Sequence, residues 1–274
     1  LPPQWLWDIV DEFIYQFSAQ CQLRHRLHKL SPAEIERLKA APGVWDAGVV
    51  IGRLRALADK APYGVRKESQ SAFSASSLHG LLGYYALIGL CRVHTILGDY
   101  SLALDVLAPV DLGQGGLSTR VAACFISACY YIGFCYLMCR RYVDATRVFA
   151  QALFYVARTK QYHTRATNYS EFLKKSEQIH ALFAISHALC PQPKAYEHKT
   201  HDLSDKVVDR IKRLRQSPGN VSLHEDLFSF ACPKFVSPAL PEYDQAEAEP
   251  ATQKLFRGQL RIFLDEVRSK RMHP

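Results

Sequence analysis

The sequence lacks long apolar runs, and strand-like alternation of apolar and polar residues is nearly absent. Because no stretch of 18 consecutive apolar residues occurs, we expect no helix that spans a membrane. The first residues carry no basic segment ahead of an apolar one, so we also expect no secretory signal peptide. Apolar residues recur instead at helical spacing along most of the 274 residues, which predicts an all-α fold.

Cysteine patterns typical of zinc sites or disulfide frameworks are missing as well. The eight cysteines lie mostly among aliphatic and aromatic neighbours, as reduced core cysteines do. Cys135 and Cys139 lie four residues apart, whereas zinc needs four ligands, usually supplied in Cys-x2-Cys pairs. We therefore expect a reducing, cytoplasmic compartment and no metal or cofactor.

Signatures of catalysis are equally scarce. The stretch Gly113-x-Gly115-Gly116 lacks the Lys-Ser/Thr of a phosphate-binding loop, and a helix pattern precedes it where a strand would be needed. No G-x-S-x-G nucleophile motif occurs. The sequence therefore favours a protein that binds other macromolecules over an enzyme with a small-molecule substrate.

Positive charge is the most prominent feature of the composition. The formal net charge is +8, so the surface should attract acidic partners such as RNA or acidic faces of proteins. Basic residues cluster at 24–29, at 140–147 and, most densely, at 206–215. In the densest cluster the candidate contacts for RNA or an acidic surface are Arg210, Lys212, Arg213 and Arg215. Aspartates are interspersed there, so a solvated or subunit-facing surface is the alternative.

The N-terminal segment predicts a helix over residues 4–20 with an unusually aromatic face. At 100° per residue, its apolar side chains fall within an arc of about 160°. We expect this face to be buried in a groove between two helices, either of this chain or of a partner. The residues of that face predicted to contact a partner are Trp5, Trp7, Phe13 and Phe17.

Further helices are marked by caps and breakers. Ser31-Pro32-Ala33-Glu34 is a capping box with proline at the first helical position, so a helix begins there and ends at Pro42. A helix through Trp45 to Leu57 follows. Later helices are predicted over residues 78–97, 100–108, 118–138, 141–158, 170–189, 203–215, 221–231 and 252–270. Residues 61–77 read as a flexible connection.

A repeat of tetratricopeptide type is the most informative pattern. Its signature places a small residue in a first helix and A-x3-F in a second. One copy comprises Ile132, Gly133, Tyr136, Tyr142, Ala145 and Phe149, and a looser copy lies upstream, at Leu90, Cys91, Tyr100, Ala103 and Leu107. Tyr100 corresponds to Tyr142 and Ala103 to Ala145. The small residues let two helices approach closely, and the tyrosines plug the turn between them.

This repeat predicts a right-handed stack of antiparallel helix pairs, a tetratricopeptide-like solenoid. Each pair leaves an apolar face that a neighbouring pair must cover. The period of 42 exceeds the usual 34, with the extra residues at 111–119. Two unrelated antiparallel helix pairs are the alternative interpretation.

Four segments carry a resemblance to a known family. They are PPQWLWDIVDEFIYQF at 2–17, LLGYYALIGLCRVHTILGDYSLAL at 81–104, RRYVDATRVFAQALFYVARTK at 140–160 and LFSFACPKFVSP at 227–238. In these segments and their order the chain resembles subunit L of eukaryotic translation initiation factor 3. The likeness spans nearly the whole chain, and only the connections look divergent.

The resemblance implies a non-catalytic scaffold subunit that assembles with sister subunits on the small ribosomal subunit. Subunits K and E are its implied neighbours. The family is similar in plan to subunits of the proteasome lid and the signalosome, with helical repeats followed by a winged-helix module. This chain ends before such a module could appear, so we expect a fragment of a longer protein in which the winged helix is absent.

The predicted organisation is therefore an N-terminal helical region at 1–60, helical repeats at 78–236, a linker at 237–251 and a C-terminal helix at 252–274. Two other functions stay open on the residues alone. A free-standing tetratricopeptide adaptor would capture peptide segments of partner proteins. An RNA-binding helical repeat would show binding that falls steeply with salt.

Overall fold

The computed structural model describes residues 1–60, 77–108, 110, 120–163, 169–190, 205–216, 221–243 and 250–271. Within these ranges it contains no strand, and the predicted all-α class is confirmed. The helices are α1 (Pro3–Arg24), α2 (Pro32–Ala40), α3 (Ala47–Ala58), α4 (Ser77–Leu97), α5 (Tyr100–Leu107), α6 (Ala122–Met138), α7 (Tyr142–His163), α8 (Tyr169–Leu189), α9 (Asp205–Gln216), α10 (Val221–Ala231) and α11 (Ala251–Arg271).

The chain divides into two compact units. Unit 1 comprises residues 1–124 and 234–258, and unit 2 comprises residues 125–233 and 259–274. Two of the three divisions fall inside α6 and α11, and the third falls just after α10. The domain boundaries inferred from composition stay a prediction. The predicted connection at 61–77 lies almost wholly outside the described residues. So do the glycine stretch at 113–116 and positions 244–249 of the predicted linker.

Local caps form as the sequence predicts. The Ser31 hydroxyl accepts a hydrogen bond from the Glu34 backbone N–H, and the Glu34 carboxylate accepts one from the Ser31 backbone N–H in return. The Asp46 carboxylate accepts a hydrogen bond of 3.0 Å from the Val49 N–H at the start of α3. These caps satisfy N–H groups that helical geometry leaves without partners.

Helix α4 forms the centre of unit 1 and contacts α1, α3 and α5. By length and composition alone, residues 78–97 could cross a membrane, although polar residues interrupt the apolar ones. In the structure 83% of this apolar window is buried inside the protein. A Cβ added at Gly89 would lie 3.2 Å from Val10 of α1 and 3.5 Å from Leu54 of α3, so both helices pack closely on α4.

Helix α8 has the corresponding place in unit 2, where it contacts α7, α9 and α10. An aromatic cluster supports the unit, because the Phe228 ring stacks on Phe263 at 4.5 Å and lies 5.8 Å from Phe134. The buried Tyr130 hydroxyl donates a hydrogen bond of 2.7 Å to the Ala231 carbonyl. Side chains from three stretches of the chain thus form one core.

The two predicted helix pairs close with the same turn. After α4, Gly98 adopts a φ of 93°, and the Asp99 N–H donates to the His94 carbonyl at 2.9 Å. After α6, Arg140 adopts a φ of 62°, and the Arg141 N–H donates to the Tyr136 carbonyl at 2.8 Å. This is the helix-ending arrangement in which a left-handed residue lets the chain reverse. Because the two turns lie at equivalent positions of the two copies, they support the repeat register inferred from sequence.

Acid sensitivity follows from a histidine in the first of these turns. Burial lowers the pKa of His94 below its usual 6.5; nearby Asp99 opposes this shift and Arg55 adds to it. The unfolded chain therefore binds a proton near that pH while the folded chain does not. We expect the free energy of unfolding to fall as the pH drops from about 7.5 to about 5.5, as measured by urea denaturation.

Replacing His94 with phenylalanine should remove part of this pH dependence. The pKa of His180 is also lowered, chiefly by burial, so a residual slope should remain. A His94→Phe variant whose stability falls with pH as steeply as that of the parent would contradict this assignment.

Candidate interaction surfaces

The predicted repeat-packing residues lie mainly in the interiors of the two units. Tyr100 and Tyr136 are half-buried. The nine buried members of the set are Leu90, Cys91, Ala103, Leu107, Ile132, Gly133, Tyr142, Ala145 and Phe149. Their proposed role in stacking successive helix pairs stays a prediction.

The closest approach within the second pair is at Gly133. A Cβ built on this residue would meet the Phe149 ring, with its Cζ at 2.6 Å and its Cδ1 at 2.8 Å. The ring of α7 therefore occupies the space that a side chain on α6 would need. In the first pair, the glycine at a close approach is Gly89, two positions before Cys91, and it faces α1 and α3.

The aromatic face of α1 is only partly covered by the chain itself. Trp7 and Phe17 are buried, with the Trp7 ring edge-on to Tyr85 at 5.6 Å, so they belong to the core and are not exposed for a partner. Phe13 is half-buried and packs on Trp45 at 5.2 Å. Trp5 is 59% exposed, so this chain by itself does not bury the whole face, and burial of the rest by a partner stays a prediction.

The reason is that the apolar face of α1 is wider than the area that the neighbouring helices cover. The apolar residues that α4 and its neighbours cover follow one helical stripe, made of Leu6, Val10, Ile14, Phe17 and Cys21. Ile9 lies at one edge of the arc and is 60% exposed, and Trp5, one turn earlier, lies just outside the arc. The wide apolar arc predicted from the sequence therefore contains a buried stripe and an exposed one.

We define the α1 outer face as Trp5 and Ile9 together with Asp8 and Glu12. The two carboxylates are exposed, and each accepts a hydrogen bond from a glutamine of the same helix. Residues 1–20 contain three acids and no Lys, Arg or His, although the chain as a whole is basic. The face thus presents two large apolar side chains with acidic neighbours.

The basic helix α9 is amphipathic, and its four predicted contact residues divide into two groups. Arg210 lies 3.8 Å from the Glu177 carboxylate, and an Arg215 nitrogen lies 3.0 Å from Nδ1 of buried His187. These two arginines hold α9 against α8. Lys212 and Arg213 are exposed, and within the described part of the chain no ion pair engages them. Among the described residues, Lys212 and Arg213 are thus the two of the four that are not engaged by α8.

A buried arginine was missed by the sequence reasoning, which grouped it with an exposed basic cluster. Arg24 is 2% exposed, and its guanidinium donates to the backbone carbonyls of Pro42, at 3.1 Å, and Val44. It thereby fixes the turn in which Trp45 adopts a φ of 56°. The only local signal is its place on the helical stripe that continues from Phe17 and Cys21.

The cysteines are mostly buried, as their apolar neighbours in the sequence predict. All eight are in the thiol form, and seven of them are buried. Burial raises the pKa of Cys129 and of Cys232 to about 12, so both stay protonated and poorly nucleophilic. Among the described residues, no group of three or more His, Cys, Asp or Glu side chains could hold a metal ion.

Comparison with protein families gives one match over the whole chain. The family model described as RNA polymerase I-associated factor PAF67 matches residues 1–274. This match covers both units.

Curated relatives agree over the same range. The chain is 41% identical to eukaryotic translation initiation factor 3 subunit L of Gallus gallus over 98% of its length, covering 49% of that relative. It is 40% identical to the Homo sapiens subunit over 98% of the chain, covering 49% of the relative. For Nematostella vectensis the identity is 39%, over 100% of the chain and 54% of the relative. The chain therefore spans about half the length of the curated relatives it matches.

Proposed function

This chain belongs to the family of RNA polymerase I-associated factor PAF67, together with subunit L of eukaryotic translation initiation factor 3, and on that premise we propose a scaffold role. In this role it is a non-catalytic subunit of initiation factor 3 that assembles with sister subunits on the small ribosomal subunit. The observation that carries the proposal is the identity of about 40% along nearly the entire chain.

The two units have the properties that such a role requires. Each has a core of tightly packed helices, which gives a rigid body on which contact surfaces keep their shape. The α1 outer face adds exposed apolar side chains of the kind enriched at protein interfaces. We expect it to contact a partner helix whose apolar side chains are flanked by Lys or Arg, because its own neighbours are acidic.

Subunits K and E of the same factor are the proposed neighbours, and the cytoplasm is the proposed compartment. Affinity purification of the tagged chain from eukaryotic cells, followed by mass spectrometry, tests both the factor and the neighbours. Initiation factor 3 subunits and small ribosomal subunits should be recovered together. Recovery of RNA polymerase I subunits alone, or of proteasomal lid subunits alone, would contradict the proposal.

The α1 outer face can be tested separately. We expect the double variant Trp5→Asp/Ile9→Asp to lose most of the co-purifying initiation factor subunits, because a carboxylate cannot be buried without a partner at low cost. Its stability should change by no more than about 0.5 kcal/mol, since both side chains already face solvent. Co-purification by quantitative mass spectrometry and urea denaturation are the two measurements.

A matched control is Leu102→Asp on α5, which also changes an exposed apolar residue, 47% accessible, within unit 1. This control should retain its partners. Equal loss of partners in the control and the double variant, or an unchanged partner set in both, would show that the α1 outer face is not an assembly surface.

A further inference from the structure

The net positive charge of the chain is confined to one of its two units. Unit 2 contains 19 of the 34 Lys and Arg residues and 11 of the 26 Asp and Glu residues. Unit 1 contains 15 basic and 15 acidic residues and is therefore neutral. The whole surplus of +8 belongs to unit 2, so a polyanion should be attracted to that unit.

Part of this surplus forms two groups of paired arginines, one at the start of α7 and one in the second half of α11. The Asp144 carboxylate lies 2.7 Å from guanidinium nitrogens of both Arg141 and Arg147. The Arg140 guanidinium, next in the chain to Arg141, lies 3.0 Å from the Glu266 carboxylate. The turn between α6 and α7 is thereby tied to α11.

The second group lies along α11 itself. Asp265, the neighbour of Glu266, lies 2.8 Å from Arg268 and 3.8 Å from Arg261. We call the resulting set the arginine cluster. It consists of Arg140, Arg141, Arg147, Arg261 and Arg268.

Five guanidinium groups in this cluster face three carboxylates, which leaves a local surplus of two positive charges. Each arginine side chain is more than half exposed, from 54% for Arg141 to 84% for Arg261. A guanidinium has five N–H donors in a planar fork that matches phosphate as well as carboxylate. The arginines can therefore contact an additional anion without breaking the existing pairs.

The surroundings of the cluster determine which anion fits. A small pocket beside Arg140 and Glu266 is lined by Leu137, Met138, Tyr142, Ile262 and Phe263, and it has room for little more than one water molecule. A protein partner could therefore not insert an apolar anchor there, as stable protein interfaces usually require. The Tyr136 ring lies beneath the Arg141 guanidinium at 4.5 Å, which leaves that face closed to base stacking.

We propose that the arginine cluster of unit 2 binds the phosphate backbone of RNA without reading its sequence. The choice of RNA as the polyanion rests on the proposed role in initiation. The location on unit 2 rests only on the charges and contacts described above.

The test is a binding titration of a fluorescent oligouridylate of about 20 nucleotides by the 274-residue chain, followed by anisotropy at several salt concentrations. The cluster variant changes Arg141, Arg147, Arg261 and Arg268 to glutamine. At low salt we expect it to bind at least about tenfold more weakly. The slope of log K against log salt should be less steep by about 2 to 3, since single strands release about 0.7 ions per contact.

The control variant removes the same number of charges from exposed positions of unit 1. It changes Arg26, Lys29, Arg53 and Lys60 to glutamine. We expect its affinity to stay within about twofold of the parent. Equal weakening of both variants would overturn the proposal, because net charge alone would then account for binding. Absence of RNA binding by the parent at low salt would overturn it as well.

Two further measurements separate a binding role from a structural one. Asp265→Asn removes an exposed carboxylate and should tighten RNA binding about two- to threefold, whereas a merely structural cluster would show no gain. Polyglutamate of equal charge should compete poorly. The contrary outcome is that polyglutamate displaces the RNA at equal charge concentration and that the cluster variant loses affinity for polyglutamate and RNA alike. The surface would then bind acidic protein segments, and the proposal would fail.

These results are independent of the assembly experiment. Loss of RNA binding in the cluster variant with normal co-purification would support this proposal, and loss of co-purification in the α1 variant would leave it intact. If the four-residue variant unfolds, Arg261→Gln/Arg268→Gln keeps the test available, because these two side chains are 84% and 56% exposed.

Discussion

Replacing Gly133 with alanine is expected to destabilise the protein by about 3 kcal/mol, the upper end of the usual penalty for overfilling a core. The added methyl group would lie 2.6 Å from Cζ of Phe149, far inside van der Waals contact. Both residues are in helix interiors and buried, so neither helix can move without disturbing its other contacts. The gain in helix propensity from glycine to alanine, about 1 kcal/mol, offsets only part of this cost.

A second substitution can show that the ring is the cause. In the double variant Gly133→Ala/Phe149→Leu, the smaller side chain should relieve the clash. The destabilisation of the double variant should therefore be smaller than the sum of the two single-variant destabilisations by about 1 kcal/mol or more. Denaturation by urea measures both values. Strict additivity would show that the close approach of α6 and α7 is not the source of the destabilisation.

Gly52→Ala is the matched control for this pair. Gly52 lies within α3, and a Cβ added there meets nothing within 4 Å. The same chemical change should therefore stabilise the protein by up to about 1 kcal/mol through helix propensity alone. Opposite signs at Gly52 and Gly133 would separate backbone propensity from packing.

Replacing Arg24 with methionine should cost about 1.5 to 3 kcal/mol, the usual range for losing hydrogen bonds to a charged group. The guanidinium is 2% exposed and donates to two backbone carbonyls in the turn between α2 and α3. Methionine would fill similar space but leave both carbonyls without these donors, and water can replace them only in part because the Arg24 side chain itself is buried. Urea denaturation gives the stability change, and Trp fluorescence near Trp45 reports the turn itself.

Lysine at this position should not restore stability. Its ammonium is a compact charge without the planar fork that reaches Pro42 and Val44 together, and it is harder to desolvate. Arg26→Met, two residues away at an exposed site, should change stability by less than about 0.5 kcal/mol. If Arg24→Lys were as stable as the parent, charge and not the two carbonyl contacts would explain the burial of this residue.

Much of the secondary structure could be predicted because its causes are local. The capping box at Ser31 and Glu34 involves residues three positions apart, and it forms as the sequence indicates. The helix bounds predicted from apolar periodicity agree closely with the structure, and the largest difference is at the end of α7, which continues to His163. The repeat register also appears in the paired turns at Gly98 and Arg140.

The candidate surfaces could be predicted only in part. Ile9 and Trp7 lie at the two edges of the predicted apolar arc, yet Trp7 is 3% exposed and Ile9 60%. Periodicity gives the direction in which a side chain leaves its helix, but it does not give the width of the neighbouring helix that covers it. The same limit applied to α4, whose apolar composition does not by itself distinguish a core helix from one in a membrane.

The amino-acid order by itself determined which stretches are helical, where they are capped, which pairs repeat and which family the chain resembles. All of these depend on residues within a few turns of each other. Only the tertiary structure decided which charged side chains form contacts within the protein. The Tyr142 hydroxyl meets the Glu266 carboxylate across 124 positions, and Arg24 meets the Pro42 carbonyl across 18. Such contacts follow from the packing of whole helices, because burial and pairing depend on what the folded chain places opposite each side chain.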